Sequence, residues 1–328
     1  MAAPGGFEGT DFKQERPVLL GFTSTQLIAF LVMVAALLVA PFFLYPVFLM
    51  KVLCFALFAC AFNLLIGYVG LLSFGHAAYF GMGGYLAGHA AKVWGFTPEI
   101  AILIGGATGA LLGLVIGWIA IRRQGIYFAM ITLAFAQMVY FFCVQAPFTG
   151  GEDGIQSIPR GSLFGIIPLA ADTTMYWMTA AVFLIGFLFV HRTIHSPFGM
   201  VLKSVRENEP RATSLGYRTD DYKLMAFVLS AALSGVAGGL KSIVFGIATL
   251  TDVFWTMSGE VVLMSLVGGL GTIFGPVVGA AVIITMQNYL AEFGAWVTVI
   301  QGVIFVLCVL AFRRGIVGEI GNKLRVRL

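Results

Sequence analysis

Charge is what this sequence has least of. Only 10% of its 328 residues are Asp, Glu, Lys or Arg, against about 25% in an ordinary soluble domain, which excludes a soluble catalytic domain. Cysteine is scarce too. Cys54, Cys60, Cys143 and Cys308 are scattered through apolar segments without C-x-x-C spacing, so they read as buried thiols and not as a zinc site or a disulfide framework. The phosphate-binding pattern G-x-x-x-x-G-K-[ST] is absent, and no His/Asp/Glu cluster has catalytic or metal-ligand spacing. The first 22 residues lack the basic start, apolar middle and small-residue cleavage site of a signal peptide, so the first span is expected to direct insertion. What the chain does have is apolar surface: 59% of its residues are apolar and its mean hydropathy is +0.97.

Those residues come in runs of about 20, the length that crosses about 30 Å of hydrocarbon. The runs predict spans over roughly 25–45, 47–66, 73–92, 99–121, 126–145, 173–194, 224–246, 258–270, 272–291 and 296–312. They must be helical, because an unpaired backbone amide in hydrocarbon costs several kcal/mol. The expected fold is an all-α polytopic membrane protein of about ten transmembrane helices. A Gly-rich hinge, GGLGTIFGP (Gly268 to Pro276), splits one long run, and its first piece of about 13 residues is short for a span. That piece reads either as a tilted, partly buried helix or as a re-entrant half-helix, which leaves the count between eight and eleven.

The basic residues gather in four places: Lys13 with Arg16; Arg122 with Arg123; Arg192, Lys203, Arg206, Arg211, Arg218 and Lys223; and a tail with Arg313, Arg314, Lys323, Arg325 and Arg327. Starting from an inside N-terminus, four, two and four spans bring every cluster to one face, the pattern that marks the cytoplasmic side. The net charge of +4 therefore reads as a topology signal and not as a nucleic-acid-binding surface. The expected organisation is a cytoplasmic tail at 1–24, a transmembrane domain at 25–315 with a cytoplasmic loop at 191–225 and an outer loop at 146–172, and a basic cytoplasmic tail at 316–328.

The loop HRTIHSPFGMVLKSVRENEPRATSLGYRTDDYKLM (His191 to Met225) carries structure of its own. Pro197 and Gly199 break the chain, Met200 to Val205 offer a short helical run, and Glu209-Pro210 suits the start of a second helix that Gly216 would end. It reads either as a solvated loop that enforces topology or as a docking element for a soluble partner. On the opposite side, APFTGGEDGIQSIPRGSLFGIIPLAADTT (Ala146 to Thr174) reads as an ordered, turn-rich loop.

Four segments carry a resemblance. N-L-L-I-G-Y-V-G-L-L-S-F-G-H-A-A-Y-F-G-M-G-G-Y (Asn63 to Tyr85), F-T-G-G-E-D-G-I (Phe148 to Ile155), the stretch from R-E-N-E-P-R-A-T-S-L-G-Y to Leu240, and S-G-E-V-V-L-M-S-L-V-G-G-L-G-T-I-F-G-P-V-V-G-A (Ser258 to Ala280) resemble permease subunits of ABC importers for branched-chain amino acids, of the LivM type. The resemblance runs from about residue 47 to 315. It implies a bacterial inner-membrane permease bundle with a cytoplasmic coupling helix, a second permease subunit, two ATPase subunits that hold ATP and Mg, and a periplasmic solute-binding protein. It places ATPase coupling on Glu207, Glu209, Ala212, Leu215 and Gly216. Pro210 and Arg211 interrupt the family's pattern there, so the helix is expected to start later or to dock with a kink. Neither a cofactor in this chain nor a nucleic-acid partner is implied.

Small residues recur at four-residue spacing at Gly84 and Gly88 and at Ala231, Gly235 and Gly239, the pattern that lets helices approach closely in lipid. Gly70 and Gly75, and Gly268, Gly269 and Gly271, do not keep helical spacing. Two interrupted apolar segments in corresponding halves point to a transport site, so these five glycines, with Ser73, His76 and Tyr79, are the candidate pathway residues. His76 has no Asp or Glu between Lys51 and Lys92 to relay a proton to, and reads as a hydrogen-bonded structural histidine at the cytoplasmic end of span three. Lys241, Asp252 and Glu260 are expected at the outer mouth, with Lys241 either snorkelling or paired.

The expected function is the permease subunit of an ATP-driven importer for a branched-chain or other hydrophobic amino acid, working by alternating access and without enzymatic activity of its own. An ABC permease for urea or short-chain amides, and a passive channel for a small neutral solute, are the alternatives; a passive pore needs no titrating groups.

Overall fold

The structure, a computed structural model, describes residues 23–290, 296, 299–300, 302–303, 306, 310 and 314–324. The tail expected at 1–24 apart from its last two residues, most of the span expected at 296–312 with Cys308, and Arg313, Arg325 and Arg327 lie outside the described residues.

The helices in chain order are α1 (Ser24–Phe43), α2 (Pro46–Tyr68), α3 (His76–Lys92), α4 (Pro98–Ala120), α5 (Ile126–Gln145), α6 (Asp172–Ile194), α7 (Pro197–Glu207), α8 (Glu209–Ser214), α9 (Thr219–Phe245), α10 (Trp255–Gly268), α11 (Gly275–Leu290) and α12 (Gly315–Leu324). Local chemistry sets their starts. Thr23 Oγ1 accepts the Gln26 N–H at 3.4 Å while Gln26 Oε1 accepts the Thr23 N–H at 3.3 Å, a capping box on α1. Proline occupies the first turn of α2, α4, α7 and α8, where its missing N–H goes unnoticed. Among the described residues α1, α2, α4, α5, α6 and α9 are long and apolar enough to cross a bilayer. The chain is an all-α polytopic membrane protein, and its helices fall on the expected spans to within a few residues. The largest departure is α9, which begins at Thr219 and not near 224.

The centre is a knot of α3, α4 and α9 in which backbone touches backbone. A Cβ on Gly238 would lie 1.8 Å from the Phe80 carbonyl, one on Gly235 2.3 Å from the Gly105 carbonyl, and one on Gly109 2.3 Å from the Ala231 carbonyl. In lipid, where apolar side chains gain nothing by leaving the solvent, such close approach is the main source of helix–helix attraction. Of the expected packing positions, Gly84 faces Gly238, Gly239 faces Ala87, and Ala231 faces Gly109 and Gly113, whereas Gly88 packs on Ile158 of the long loop and not on a helix. Gly105, Gly109 and Gly113 of α4, also spaced by four, belong to the same seam.

Around this knot, α2 is buried along nearly its whole length between α9, α6 and the α10–α11 hairpin. Helix α1 attaches lightly to α6, through Phe30 against Phe187 and the Tyr176 hydroxyl donating to the Leu37 carbonyl at 2.7 Å. At the end of the bundle away from α7 and α8, the 146–171 segment folds into two short 3₁₀ turns and a small antiparallel hairpin of β1 (Ser162–Leu163) and β2 (Ile167–Pro168), bridged to the chain after α9 at Ile155 and Ala248. It is the ordered, turn-rich loop expected.

Candidate functional site

The glycine-broken stretch after α2 is an interruption at membrane depth. His76, the first residue of α3, lies 2.8 Å through Nε2 from Ser230 Oγ, whose hydroxyl donates to the Ala61 carbonyl at 2.5 Å. Ala61 is seven residues before the end of α2, about 10 Å up the helix at 1.5 Å per residue. The chain therefore leaves α2, turns at Gly70 (φ +82) and climbs back into the bundle without helical structure before α3 begins.

Non-helical backbone survives at such depth only where protein satisfies it, and side chains of α5, α10 and the stretch itself supply several of the partners here. The Phe74 N–H donates to Thr132 Oγ1 of α5 at 3.1 Å. Ser258 of α10 accepts the Ala77 N–H at 2.9 Å and donates to the Phe74 carbonyl at 2.8 Å, filling the place of a cap on α3. Ser73 Oγ accepts the Gly75 N–H at 3.1 Å.

With the Ser230 proton committed to Ala61, Nε2 of His76 is the donor of their hydrogen bond, and the ring is packed edge-on by Phe62 at 4.9 Å and Tyr79 at 5.7 Å between centroids. His76 is thus tied to a hydroxyl and not to a carboxylate, and it sits at the α7–α8 end of α3. Ser73, Gly75, His76, Tyr79, Gly268 and Gly269 are all enclosed by packed protein, while Gly70 is exposed and Gly271 half-buried.

The two broken segments meet. A Cβ on Gly67 would lie 2.8 Å from the Gly271 nitrogen. Asn63 clamps the contact: its Nδ2 donates to the Thr272 carbonyl at 2.9 Å and its Oδ1 accepts the Gly271 N–H at 3.1 Å. Arg206 of α7 then donates through Nη1 to the Gly67 carbonyl, with its stem against Gly70 and its guanidinium beside Gly271. The tip of the α10–α11 hairpin therefore sits at the α7–α8 end of the bundle, and Asp252, just before α10, sits at the other. With 14 residues, about 21 Å, α10 is short for a span, and Ser258 in its first turn already lies beside Phe74 and Ala77 at the start of α3; from there it runs to the hairpin tip.

The expected coupling residues form a compact element. Asn208 caps α8, its Oδ1 accepting the Arg211 N–H at 3.0 Å. Pro210 lies in the first turn of α8, so the helix starts at Glu209 and not later. It ends in a Schellman motif, with the Tyr217 N–H on the Ala212 carbonyl at 3.3 Å and the Gly216 N–H on the Thr213 carbonyl at 2.9 Å; Gly216 supplies the left-handed φ of +91°.

Ala212 is the side of α8 that packs inward. Glu207, Pro210, Arg211, Leu215 and Gly216 are exposed. Glu209 fixes the element to the bundle: Oε1 pairs with Lys223 of α9, which is 2% exposed, and Oε2 accepts from Gln124 Nε2 of the α4–α5 turn at 3.0 Å. Beside α8, a groove of about 540 Å³ between α7 and α9 is lined by Phe198, Met200, Val201, Tyr217, Tyr222 and Met225, among others. Just before α7, His195 at the end of α6 is held below the ordinary imidazole range, chiefly by burial.

At the opposite end Lys241 is paired and not snorkelling. Its Nζ donates to both oxygens of Asp252 at 2.6 Å, with the side chains 15% and 8% exposed. In sequence Lys223 reads only as one of a basic cluster, and Asn63 and Ser258 are given no role; Asn63 is a lone amide on a mostly apolar helix, but only three-dimensional proximity assigns the partners of all three.

Three comparisons bear on this geometry. Residues 44–310 match the family described as branched-chain amino acid transport system / permease component. The high-affinity branched-chain amino acid transport system permease protein LivM of Escherichia coli (strain K12) is 24% identical over 288 residues, covering 81% of this chain and 68% of that protein. A probable branched-chain amino acid transport permease protein LivH of Methanocaldococcus jannaschii is 25% identical and covers 77% of this chain and 85% of its own length. The ribose import permease protein RbsC of Bacillus subtilis (strain 168) is 28% identical over about half of each chain. No solved structure matches.

Proposed function

The chain belongs to the family of branched-chain amino acid transport system permease components, and we propose from that premise that it is one transmembrane subunit of an ATP-driven importer for branched-chain or other hydrophobic amino acids in a bacterial inner membrane. In this reading both termini and the α7–α8 element face the cytoplasm, the transmembrane domain runs over 25–315, and the 146–171 segment faces outward. Two ATPase subunits holding ATP and Mg dock on α8. A second permease subunit completes the pathway, and a periplasmic binding protein delivers the solute.

The observation that carries the proposal is the attachment of α8. Its outer face is free for a partner, while its inner face is locked to α9 through Glu209–Lys223. The neighbouring α7 is bonded through Arg206 to the point where the two broken helices meet. Movement imposed on α8 would pass to α9 through Glu209 and Lys223, and movement of α7 would pass through Arg206 to the junction of Gly67 and Gly271 that Asn63 clamps. Alternating access would use this path to shift the α10–α11 hairpin against α2 and α3. The groove between α7 and α9 is the apolar seat beside α8 into which an ATPase side chain would fit.

Gly216→Val tests the reading. Nothing lies within 4 Å of a Cβ at that position, so no clash arises. The cost is the left-handed backbone, about 1–2 kcal/mol for an L-residue, which unwinds the end of α8 alone. Membrane yield and thermal stability are expected to stay at wild-type values while amino-acid-stimulated ATP hydrolysis by the assembled complex falls. Unchanged stimulation would remove α8 from the coupling path.

A further inference from the structure

The hairpin between β1 and β2 presents apolar side chains outward where a soluble loop would present polar ones. Phe164 and Ile166 are 74% and 82% exposed. The Ile166 N–H closes the turn on the Leu163 carbonyl at 3.0 Å, and its two central residues, Phe164 (φ +50) and Gly165 (φ +74), both take positive φ. Such a turn favours Asn, Asp or Gly at the first of these places. An aromatic residue sits there instead, at a conformational cost, and is held in place by its N–H donating to Glu99 Oε1 at 2.6 Å.

Glu99 also fixes the depth of the tip. It lies in the first turn of α4, and Gly161 at the foot of the hairpin packs on Pro98. At the other end of that helix Trp118, 62% exposed, lies under the Arg122 guanidinium at 5.0 Å; tryptophan is enriched at the membrane–water interface and arginine just beyond it. From Pro98 to Trp118 the helix rises about 30 Å, the thickness of the hydrocarbon core. Pro98 and Glu99, and with them the hairpin tip, therefore stand at the opposite boundary. The exposed Trp94 and Phe96, in the turn leading into α4, stand at the same level.

We infer that the β1–β2 hairpin is an interfacial anchor: Phe164 and Ile166 insert into the boundary between headgroups and acyl chains of the leaflet on the side of the 146–171 segment. They extend the aromatic belt begun by Trp94 and Phe96 and brace that segment against the bilayer. The lipid surface is the occupant because the patch is continuous with the bilayer-facing surface of α4 and sits at the depth that surface ends.

The test uses the full-length chain in lipid nanodiscs with a nitroxide placed in turn at Phe164→Cys, Ile166→Cys and, as a water-exposed position of the same segment, Asp153→Cys. Collision rates with oxygen and with a water-soluble nickel chelate are compared. At 164 and 166 the oxygen-to-nickel ratio is expected to exceed one and to fall when short-chain detergent replaces lipid; at 153 it should stay below one. A ratio below one at both 164 and 166 overturns the inference. So does protection from both reagents that appears only when a soluble solute-binding protein is added, because the patch would then be a protein-docking surface. Both side chains project from the fold, so labelling leaves it intact, and two sites reporting separately guard against a local disturbance at one.

Discussion

Gly238→Val is expected to prevent assembly of the helical bundle. The new Cβ would sit 1.8 Å from the Phe80 carbonyl oxygen, and the opposing atom is backbone, so no rotamer change relieves the contact. Overpacking a core costs about 1–3 kcal/mol when side chains can yield. Here α3 and α9 must move apart, which also opens the contacts at Gly83, Gly105 and Gly235 and takes away close packing, the main attraction available between helices in lipid. The variant should be recovered at a small fraction of wild-type yield and unfold at a clearly lower temperature in detergent. Gly259→Ala is the control: it lies inside α10 with nothing within 4 Å of its Cβ. It should be neutral, or stabilising by up to about 1 kcal/mol, the usual preference for alanine over glycine in a helix. Similar losses for the two variants would mean that the glycine seam is not what holds the knot.

Glu209→Gln is the second large effect. Lys223 is 2% exposed and its ammonium is neutralised chiefly by Glu209, with Asp220 farther away at 3.7 Å. Removing one partner of a buried pair costs about 3–5 kcal/mol when the remaining charge is left alone; with Asp220 still 3.7 Å from Lys223, the loss here is expected toward the lower end. The cheapest escape is for the start of α9 to open and let water reach Lys223, which would release α8 from the bundle. The expected result is a chain that still inserts, a lowered thermal midpoint, and solute-stimulated ATP hydrolysis reduced more than basal hydrolysis. Glu209→Leu with Lys223→Met removes the charge and its partner together, and by the same reasoning recovers most of the stability. Coupling should recover only in part, because the bond from Gln124 is lost as well. If the single variant were as stable as wild type, Asp220 or solvent would be neutralising Lys223 in place of Glu209.

Residue by residue, what sequence could reveal was what repeats or what punctuates. The spans followed from apolar runs, because hydrocarbon thickness fixes helix length. The start of α8 at Glu209-Pro210 and its end at Gly216 followed from capping chemistry, which is local. The glycines of α9 were visible through their spacing, and those of α4 would have been by the same rule. What was not legible was partnership. That Ser230 receives His76, that Ser258 substitutes for a cap on α3, and that Asn63 grips a hinge more than 200 positions away depend on the packing of whole helices. A serine or asparagine in an apolar run looks the same whether it bonds its own helix or another. Likewise both glycine-rich breaks were visible as glycines off helical spacing, but only the fold puts Gly67 against Gly271 and sets Arg206 beside both.

The central claim is that this chain moves an amino acid when nucleotide-driven motion reaches it through α7 and α8. The most direct test is uptake of radiolabelled leucine into proteoliposomes containing the chain with its cognate permease, ATPase subunits and solute-binding protein, with ATP supplied on the α8 side. The account predicts accumulation against a gradient that requires ATP and is lost in Glu209→Gln. Equilibration of a small neutral solute through this chain alone, at the same rate with and without ATP and the other subunits, would contradict it and identify a passive pore.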